Sequence, residues 1–192
     1  SPYTCEGDEC VYDDPTTTFM WQGCVSGKGG ADCVSGEAST FAIDEAEQHC
    51  QLLVHGGYSD WRLPNIDELR TLIRGCSKNE PGGACQITDA CSPNIPGDPC
   101  TVQSCLGCDD LGGPGQGGCY LPEELPPSTL FDEGCGVTLL SSSKFDDESV
   151  MHLWTGAAHV TSAPIVNKYP TRCVRGGDAS PDQCVSLSFD GD

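Results

Sequence analysis

The cysteines constrain this chain more than any other feature of its sequence. There are 15 of them among 192 residues, and they lie along the whole chain rather than in one cluster. Cytosolic proteins keep their thiols reduced and rarely carry so many cysteines, whereas secreted proteins use them as disulfides. We therefore predict a secreted, extracellular protein whose loops are held by disulfide bonds. Because the sequence starts at Ser1 without a signal peptide, we expect a mature product whose signal has been removed.

The charge of the chain narrows the choice of partners. It has 9 Lys and Arg residues against 29 Asp and Glu residues, for a net charge of −20. Binding to nucleic acid or to an anionic membrane surface needs a basic patch, and no apolar run approaches the roughly 18 residues of a membrane-spanning helix. The sequence therefore predicts no nucleic-acid partner and no membrane insertion. Such acidity suits calcium, a cationic partner or solubility alone.

The spacing of apolar residues predicts a first helix over residues 40–53, with Ser39 or Thr40 as its N-cap. A pair of glycines, Gly56-Gly57, follows the helix and ends it. The expected buried face consists of Ala42, Ala46, Cys50 and Leu53.

A second helix is predicted over residues 65–74. Asn65 is a good N-cap, and Glu68 three residues later completes a capping-box pattern. The apolar stripe of this helix consists of Ile66, Leu69, Leu72 and Ile73.

Short runs of β-branched and aromatic residues predict strands, and residues 1–38 are otherwise expected to be rich in turns. The predicted strands lie at 16–22, 137–142, 150–155, 158–161 and 171–175. Residues 76–136 differ, because they hold eight cysteines, are rich in Gly and Pro and show no periodicity. We expect disulfides to hold this insertion, and loops on such a scaffold are natural places for a binding site.

Three segments of the chain resemble one protein family. They are Phe19-Met20-Trp21-Gln22, the block Gly-Gly-Tyr-Ser-Asp-Trp-Arg-Leu-Pro-Asn at 56–65 with Glu68-Leu69, and Thr171-Arg172-Cys173-Val174-Arg175. This order resembles the family named for the C-terminal domain of the Legionella collagen-like protein. The resemblance implies an extracellular bacterial protein, a surface protein or part of an adhesin, and it brings no established catalytic residues.

The order of elements is also similar to that of C-type-lectin-like domains. It implies an α+β, C-type-lectin-like domain with two helices, a small antiparallel sheet and long disulfide-stapled loops. In such domains a cysteine of the first helix bonds one in a late strand, which would be Cys50–Cys173 here, with a Cα separation under about 7 Å. We expect one domain over 1–177, with the insertion at 76–136, followed by a tail at 178–192.

The remaining cysteines predict structural disulfides rather than a metal or redox site. Near the start of the chain they fall into two close pairs, Cys5/Cys10 and Cys24/Cys33. Cys105-Leu-Gly-Cys108 has the spacing of a redox or zinc half-site, but the second metal-binding pair and the βαβ setting of a thioredoxin are missing.

Adjacent carboxylates are the candidates for a cofactor, which would be calcium. Calcium takes six to eight oxygen ligands, and none of the acidic pairs here has EF-hand spacing. The best candidates are Asp109 with Asp110 and Asp146 with Asp147. The alternative is that these carboxylates serve solubility alone.

The sequence offers no catalytic motif. The four histidines, His49, His55, His152 and His159, have no metal-helix spacing, and there is no nucleophile elbow or P-loop. Trp61 and Arg62 could form a recognition pair, but we favour structural roles for both. Trp61 would fill the core, and Arg62 would bond to nearby carboxylates or carbonyls. We therefore predict a protein that is not an enzyme.

The tail carries the features expected of an assembly segment. Since 15 is odd, at least one cysteine has no partner within the chain, and Cys184 is our candidate for an unpaired or intermolecular cysteine. The alternative is that Cys184 bonds within its own chain and another thiol is left free. Val185, Leu187 and Phe189 alternate with serines, as in a strand with one apolar face. The sequence thus predicts a non-catalytic binding or adhesion domain for an extracellular glycan or protein. The alternative is a structural subunit that joins copies of itself into a filament through terminal strands, unless the tail pairs with its own sheet.

Overall fold

The computed structural model describes residues 1–91, 100, 102–126 and 136–177 and shows a small, disulfide-rich α+β fold. The predicted fold class is confirmed at this level. Its helices are α1 (Ile43–Leu52) and α2 (Ile66–Arg70). Its strands are β1 (Tyr3–Glu6), β2 (Glu9–Asp13), β3 (Phe19–Gln22), β4 (Lys28–Gly29), β5 (Ser35–Gly36), β6 (Thr40–Phe41), β7 (Thr138–Lys144), β8 (Ser149–Trp154), β9 (His159–Pro164), β10 (Tyr169–Pro170) and β11 (Val174–Gly176).

The strands form several small antiparallel sheets rather than one. The largest has the order β1-β2-β3-β11, and a three-stranded sheet has the order β7-β8-β9. Two further pairs join β4 to β5 and β6 to β10. Since β11 lies beside β3, the end of the described chain returns to its beginning.

Residues 1–38 contain turns, as expected, but also the β1–β2 hairpin, which was not predicted from the sequence. In this hairpin Tyr12 pairs with Tyr3 and contributes a buried ring to the core. The next strand, β3, is also shorter than the predicted 16–22. Asp14 Oδ1 accepts hydrogen bonds from the Thr16 backbone N, at 2.9 Å, and from Thr16 Oγ1, at 2.8 Å. These bonds hold residues 14–17 in a turn until β3 begins.

Helix α1 begins later than predicted, and the N-cap is Ala42 rather than Ser39 or Thr40. Thr40 belongs to β6, which pairs with β10 from the far end of the chain. The helix start is stabilised instead by Glu45, whose Oε2 accepts a hydrogen bond from the Ala42 backbone N at 3.0 Å. A distant strand partner has therefore overridden the local capping preference.

Helix α2 begins where the sequence predicts. Asn65 Oδ1 accepts a hydrogen bond from Glu68 N at 2.9 Å, and Glu68 Oε2 accepts one from Asn65 N at 2.9 Å, which confirms the capping box. The helix ends at Arg70 rather than near 74, because the backbone N–H groups of Leu72 and Ile73 bond three residues back in a tighter turn. The whole predicted apolar stripe is buried.

The buried apolar residues form two clusters. The smaller packs α1 against Trp61, Leu63 and the sheet residues Leu140 and Val150. The larger joins α2 to the β7-β8-β9 sheet and to the cysteine-rich insertion. The insertion supplies apolar side chains as well as cysteines to this cluster, namely Ile87, Tyr120, Leu121 and Leu125.

Arg70 holds the first part of the insertion in place. Its side chain is 5% exposed and donates to four backbone carbonyl groups. The distances are 3.1 Å to Asn79, 3.1 Å to Glu80, 3.1 Å to Cys85 and 2.7 Å to Ile87. Burial lowers the pKa of Arg70, and the carbonyl oxygens satisfy its donors in the interior.

Six disulfides join cysteines of the described residues. They are Cys5–Cys10, Cys24–Cys33, Cys50–Cys173, Cys76–Cys108, Cys85–Cys105 and Cys91–Cys100. Cys50–Cys173 is the pair implied by the family resemblance, with a Cα separation of 5.6 Å. Cys105 and Cys108 each bond a different cysteine, so their close spacing reflects two structural disulfides. Cys119 is disulfide-bonded as well.

Within the part of the chain that the structure describes, no helix has the length and apolar character needed to cross a membrane.

Candidate functional site

An open groove lies along the C-terminal half of α1. Its larger part is a cavity of about 690 Å³, and an adjoining cavity of about 410 Å³ shares His49, Leu53 and Val54 with it. We call the two together the α1 groove. The larger cavity is lined by Thr40, Phe41, Glu45, Gln48, His49, Leu52, Leu53, Val54 and Lys168. The adjoining one is lined by the three shared residues and by Asp8, Glu9, Gln22, Gly27, Lys28, Gly29, Ser35, Gly36 and His55.

The helix period explains which side chains reach the groove. Glu45, Gln48, His49 and Leu52 recur at i, i+3, i+4 and i+7, so they share one face of α1. The residues that α1 buries in the core, Ile43, Ala46 and Cys50, lie on another face. One face of the helix thus fixes the fold while a second presents side chains to the groove.

The groove combines apolar and polar groups. Leu52 is 74% exposed and Val54 is 68% exposed, although both are large apolar residues. Beside them Lys168 Nζ lies 2.8 Å from Glu45 Oε2, and the hydrogen bond from Lys168 lowers the pKa of Glu45. Ligand sites typically have this composition, with an apolar surface and a few polar groups that fix orientation.

His49 forms part of the wall between the two cavities. Its ring stacks on Phe41 with the ring centroids 4.6 Å apart, and its Nε2 lies 2.9 Å from Ser26 Oγ. That distance matches a nucleophile and its general base. Ser26, however, is fully buried, and its hydroxyl donates to Gln22 Oε1 at 3.3 Å. Burial lowers the pKa of His49, and the Ser26 hydroxyl lies beyond the reach of a substrate in the groove.

The residues around the turn before α2 form a clamp. The Arg175 guanidinium lies 3.8 Å from the centroid of the Tyr58 ring. Its Nε donates to Asp60 Oδ1 at 2.7 Å and its Nη2 donates to Asp60 Oδ2 at 3.0 Å. The hydrogen bond from Arg175 holds the pKa of Asp60 below its ordinary value. This arrangement ties strand β11 to the turn.

Trp61 and Arg62 complete the clamp, and both have the structural roles that we expected for them. Trp61 is buried, and its Nε1 donates to the His55 carbonyl at 3.1 Å. Arg62 donates to both Glu68 carboxylate oxygens at 2.6 Å. The backbones of Arg62 and Val174 exchange two hydrogen bonds of 2.9 Å.

The model of the family described as the Lcl C-terminal domain matches residues 9–175, which include every residue of this clamp. The chain belongs to this family. Neither a curated protein nor a solved structure matches the chain significantly. Together with its disulfides, membership makes the chain an extracellular or secreted bacterial domain. In this Lcl C-terminal domain the signature residues 58–62 and 173–175 contact one another and hold the fold.

The structure places the candidate calcium carboxylates in loops of this Lcl C-terminal domain. Asp109 and Asp110 are exposed, and the Asp109 carbonyl accepts a hydrogen bond from Tyr120 Oη at 2.7 Å. Asp146 Oδ1 accepts one from Glu148 N at 2.9 Å, while Asp147 is exposed. Hydrogen bonding to Ser149 lowers the pKa of Asp146. Among the described residues, no three His, Cys, Asp or Glu side chains are grouped so that they could hold a metal ion.

His55 and His152 are buried and contact other parts of the fold. His55 is buried, and its Nε2 lies 2.8 Å from the Cys10 carbonyl oxygen. His152 is buried against the Tyr169 ring, with centroids 5.1 Å apart. Burial lowers the pKa of His152 to about 4, with a smaller contribution from His159.

Sequence reasoning missed the α1 groove. Leu52 and Val54 lie outside the predicted apolar face of the first helix, just before Gly56-Gly57. Two large apolar residues at that position were the available signal. The predicted assembly residues Cys184, Val185, Leu187 and Phe189 lie outside the described residues.

Proposed function

We propose that this Lcl C-terminal domain is a non-catalytic extracellular binding or adhesion domain whose ligand, a glycan or a protein, contacts the α1 groove. The observation that carries the proposal is the exposure of Leu52 and Val54 beside the Lys168–Glu45 ion pair. Covering large apolar side chains that are exposed at the end of a helix makes ligand binding more favourable. The flanking polar groups would orient that ligand.

Two features of the groove favour binding over catalysis. The serine nearest to His49 is Ser26, whose buried hydroxyl is already committed to Gln22. The carboxylate of Glu45 is neutralised by Lys168, which keeps it ionised rather than poised to exchange a proton near neutral pH. Both features support a binding role for the groove.

The test uses two matched substitutions of exposed valines. Val54 is 68% exposed and lines the groove, whereas Val166 is 75% exposed and does not. Wild-type protein, Val54→Asp and Val166→Asp are applied to a glycan array and to immobilised extracellular proteins. We expect retention of the wild type on at least one ligand, about tenfold weaker retention of Val54→Asp and unchanged retention of Val166→Asp. Absence of retention on every surface, or equal loss in both variants, contradicts the proposal.

A second candidate function is a subunit of an extracellular homopolymer. It is favoured by strand β1, which lies at one edge of its sheet and is mostly exposed. A strand from a second copy could extend the sheet there. Light scattering under non-reducing conditions would compare the full chain with a chain that lacks residues 178–192. Polymers formed only by the full chain support this function, and monomers in both samples contradict it.

A further inference from the structure

We propose that the outer face of the β1–β2–β3 sheet is a docking site for an extended, lysine- or arginine-bearing segment of a partner protein. The site lies on the sheet rather than on the helix face of α1, although it shares Glu9 with the α1 groove. It is a groove of about 280 Å³. We call it the sheet-face groove, and the residues that matter in it are Glu6, Glu9, Val11, Asp13, Met20 and Tyr58.

Strand register explains why these side chains meet. Successive residues of a strand point to opposite faces, so Glu9, Val11 and Asp13 of β2 share one face. Glu6 lies directly opposite Glu9, and Asp13 lies directly opposite Met20. The other face carries Tyr12 and Trp21 into the core. The outer face therefore combines carboxylates at its rim with apolar side chains at its floor.

One cation of the chain reaches this groove: Arg175 interacts electrostatically with Asp13, and its Nη1 lies 3.7 Å from Met20 Sδ. Glu9 accepts a hydrogen bond from the Gly56 backbone N at 2.9 Å. Neither Glu6 nor Asp13 takes part in a side-chain ion pair with any other described residue. Like charges directly opposite each other on neighbouring strands are destabilising, and a cation bound between Glu6 and Glu9 would offset that cost.

The apolar floor of the groove matches the apolar stem of a basic side chain. Lysine and arginine carry a long apolar stem, which Val11 and Met20 can cover while the charged head meets the carboxylates. The chain already shows this mode of binding at the edge of the groove. There the Arg175 guanidinium lies over the Tyr58 ring and pairs with Asp60.

The negative charge of the groove and of the whole chain favours a cationic occupant. The residues that line the groove include no Lys or Arg, and the whole chain has a net charge of −20, which attracts a cationic partner from a distance. The tail of the same chain is a poor occupant, because residues 178–192 contain four Asp and no Lys or Arg. A divalent cation alone would leave the apolar floor uncovered. A basic, extended protein segment satisfies both parts of the site.

The test measures the binding of a fluorescein-labelled, seven-residue peptide of alternating arginine and valine by fluorescence anisotropy. The same peptide with glutamine in place of arginine is the ligand control. Glu6→Gln with Asp13→Asn is the test variant, because both side chains are exposed. Glu123→Gln with Glu124→Gln removes the same charge from two exposed residues outside the groove and is the protein control.

We expect the arginine peptide to bind wild-type protein, with affinity that falls between about 20 and about 200 mM salt. The test variant should bind about tenfold more weakly and the protein control within about twofold of wild type. Equal loss in both variants, equal binding of the glutamine peptide, or displacement by calcium alone overturns the proposal. Val54→Asp should leave peptide binding unchanged, so failure of the α1 groove as a ligand site and failure of this site give different results.

Discussion

The scaffold that carries the family signature and the cysteine-rich insertion at 76–136 are held together in different ways. The scaffold uses periodic apolar side chains, paired charges such as Arg175 with Asp60, one disulfide that joins residues 123 positions apart, and two short disulfides near its start. The insertion uses disulfides that close shorter separations, between 9 and 32 positions where both cysteines lie within it. Periodic apolar side chains can order a backbone by packing together, whereas disulfides order a segment that has no such periodicity.

Backbone carbonyl groups show the same contrast. In the scaffold, helices and sheets pair many of them, and the buried Arg172 donates to the Gly23 carbonyl at 2.8 Å. In the insertion, many carbonyls belong to irregular backbone, and donors from side chains must satisfy those that are buried. Arg70 serves four of them, and Asn79 Nδ2 donates to the carbonyls of Cys105, at 2.9 Å, and Ala158, at 2.6 Å. Arg70 therefore joins α2 to the insertion, and Asn79 joins the insertion to the scaffold at Ala158.

The largest expected effect separates the two regions by their disulfides. Replacing Cys50 and Cys173 by alanine opens a separation of 123 residues, whereas replacing Cys91 and Cys100 opens one of 9. Loop-closure entropy predicts losses in the free energy of unfolding of about 5 and about 3 kcal/mol. Urea unfolding followed by tryptophan fluorescence measures both. If the shorter loop costs more than the longer one, covalent closure is not what distinguishes the regions.

The next effect tests the role of Arg70. Arg70→Met keeps the apolar stem but removes the guanidinium donor from four carbonyls, of which only that of Glu80 is also bonded by Gly83 N, and we expect a loss of about 4 kcal/mol in the free energy of unfolding. Hydrogen exchange should speed up first at residues 79–87. Arg62→Met is the matched control, because the Arg62 side chain is 42% exposed and its ion pair is worth about 1 kcal/mol or less. Similar losses in the two variants would refute the special role of Arg70.

A change of pH across the histidine range should alter the stability of the scaffold, because all four histidines lie there and none lies in the insertion. Burial lowers the pKa of His152 from 6.5 to about 4, so the unfolded chain takes up the proton first as the pH falls. The stabilisation is complete above about pH 6.5, is lost as the pH falls towards 4, and amounts to about 3 kcal/mol. His49, whose pKa is also lowered, adds in the same direction.

His152→Gln isolates this contribution. Unfolding free energies of the wild type and the variant are compared at about pH 7.5 and about pH 4.5, and the variant should lose less stability on acidification. Identical losses would show that His152 does not set the pH dependence of the scaffold.

The smallest effect concerns the clamp. Arg175→Lys keeps the charge but loses the two-pronged contact with Asp60 and the flat contact with Tyr58. Since the Asp60 side chain is 60% exposed, we expect a loss of only about 1 kcal/mol, or a fall of about 3 °C in the midpoint of thermal unfolding. The pKa of Asp60, followed by NMR, should rise towards its ordinary value. A pKa that stays low would show that the guanidinium geometry is not its cause.

The parts of the fold that sequence could predict depend on near neighbours or on the family pattern. The Asn65–Glu68 capping box needs only four consecutive residues, and the Cys50–Cys173 pair was implied by resemblance. The start of α1 could not be read locally, because Thr40 pairs with Pro170 from a strand 130 positions away. Apolar spacing likewise continued past Arg70, although the backbone there tightens into a turn.

The candidate sites were harder to predict than the fold. Acidic pairs drew attention to Asp109 and Asp146, yet carboxylates are so common in this chain that adjacency carries little information. The α1 groove needs residues from α1, β6 and Lys168, which only the tertiary structure brings together. Arg70 carries no sequence signal of its role, because its partners are backbone atoms of residues 79–87, which have no characteristic side chains.

The Cys50–Cys173 disulfide also determines how the domain responds to tension. A pull applied across the described chain passes through this bond from α1 to the residue before β11, so the residues between the two cysteines carry no load. Only the segments before Cys50 and after Cys173 can lengthen, and Cys5–Cys10 and Cys24–Cys33 shorten the first of them further. The insertion and the part of the core between the two cysteines would keep their shape under such a force, whereas the clamp would open, because Arg175 lies after Cys173.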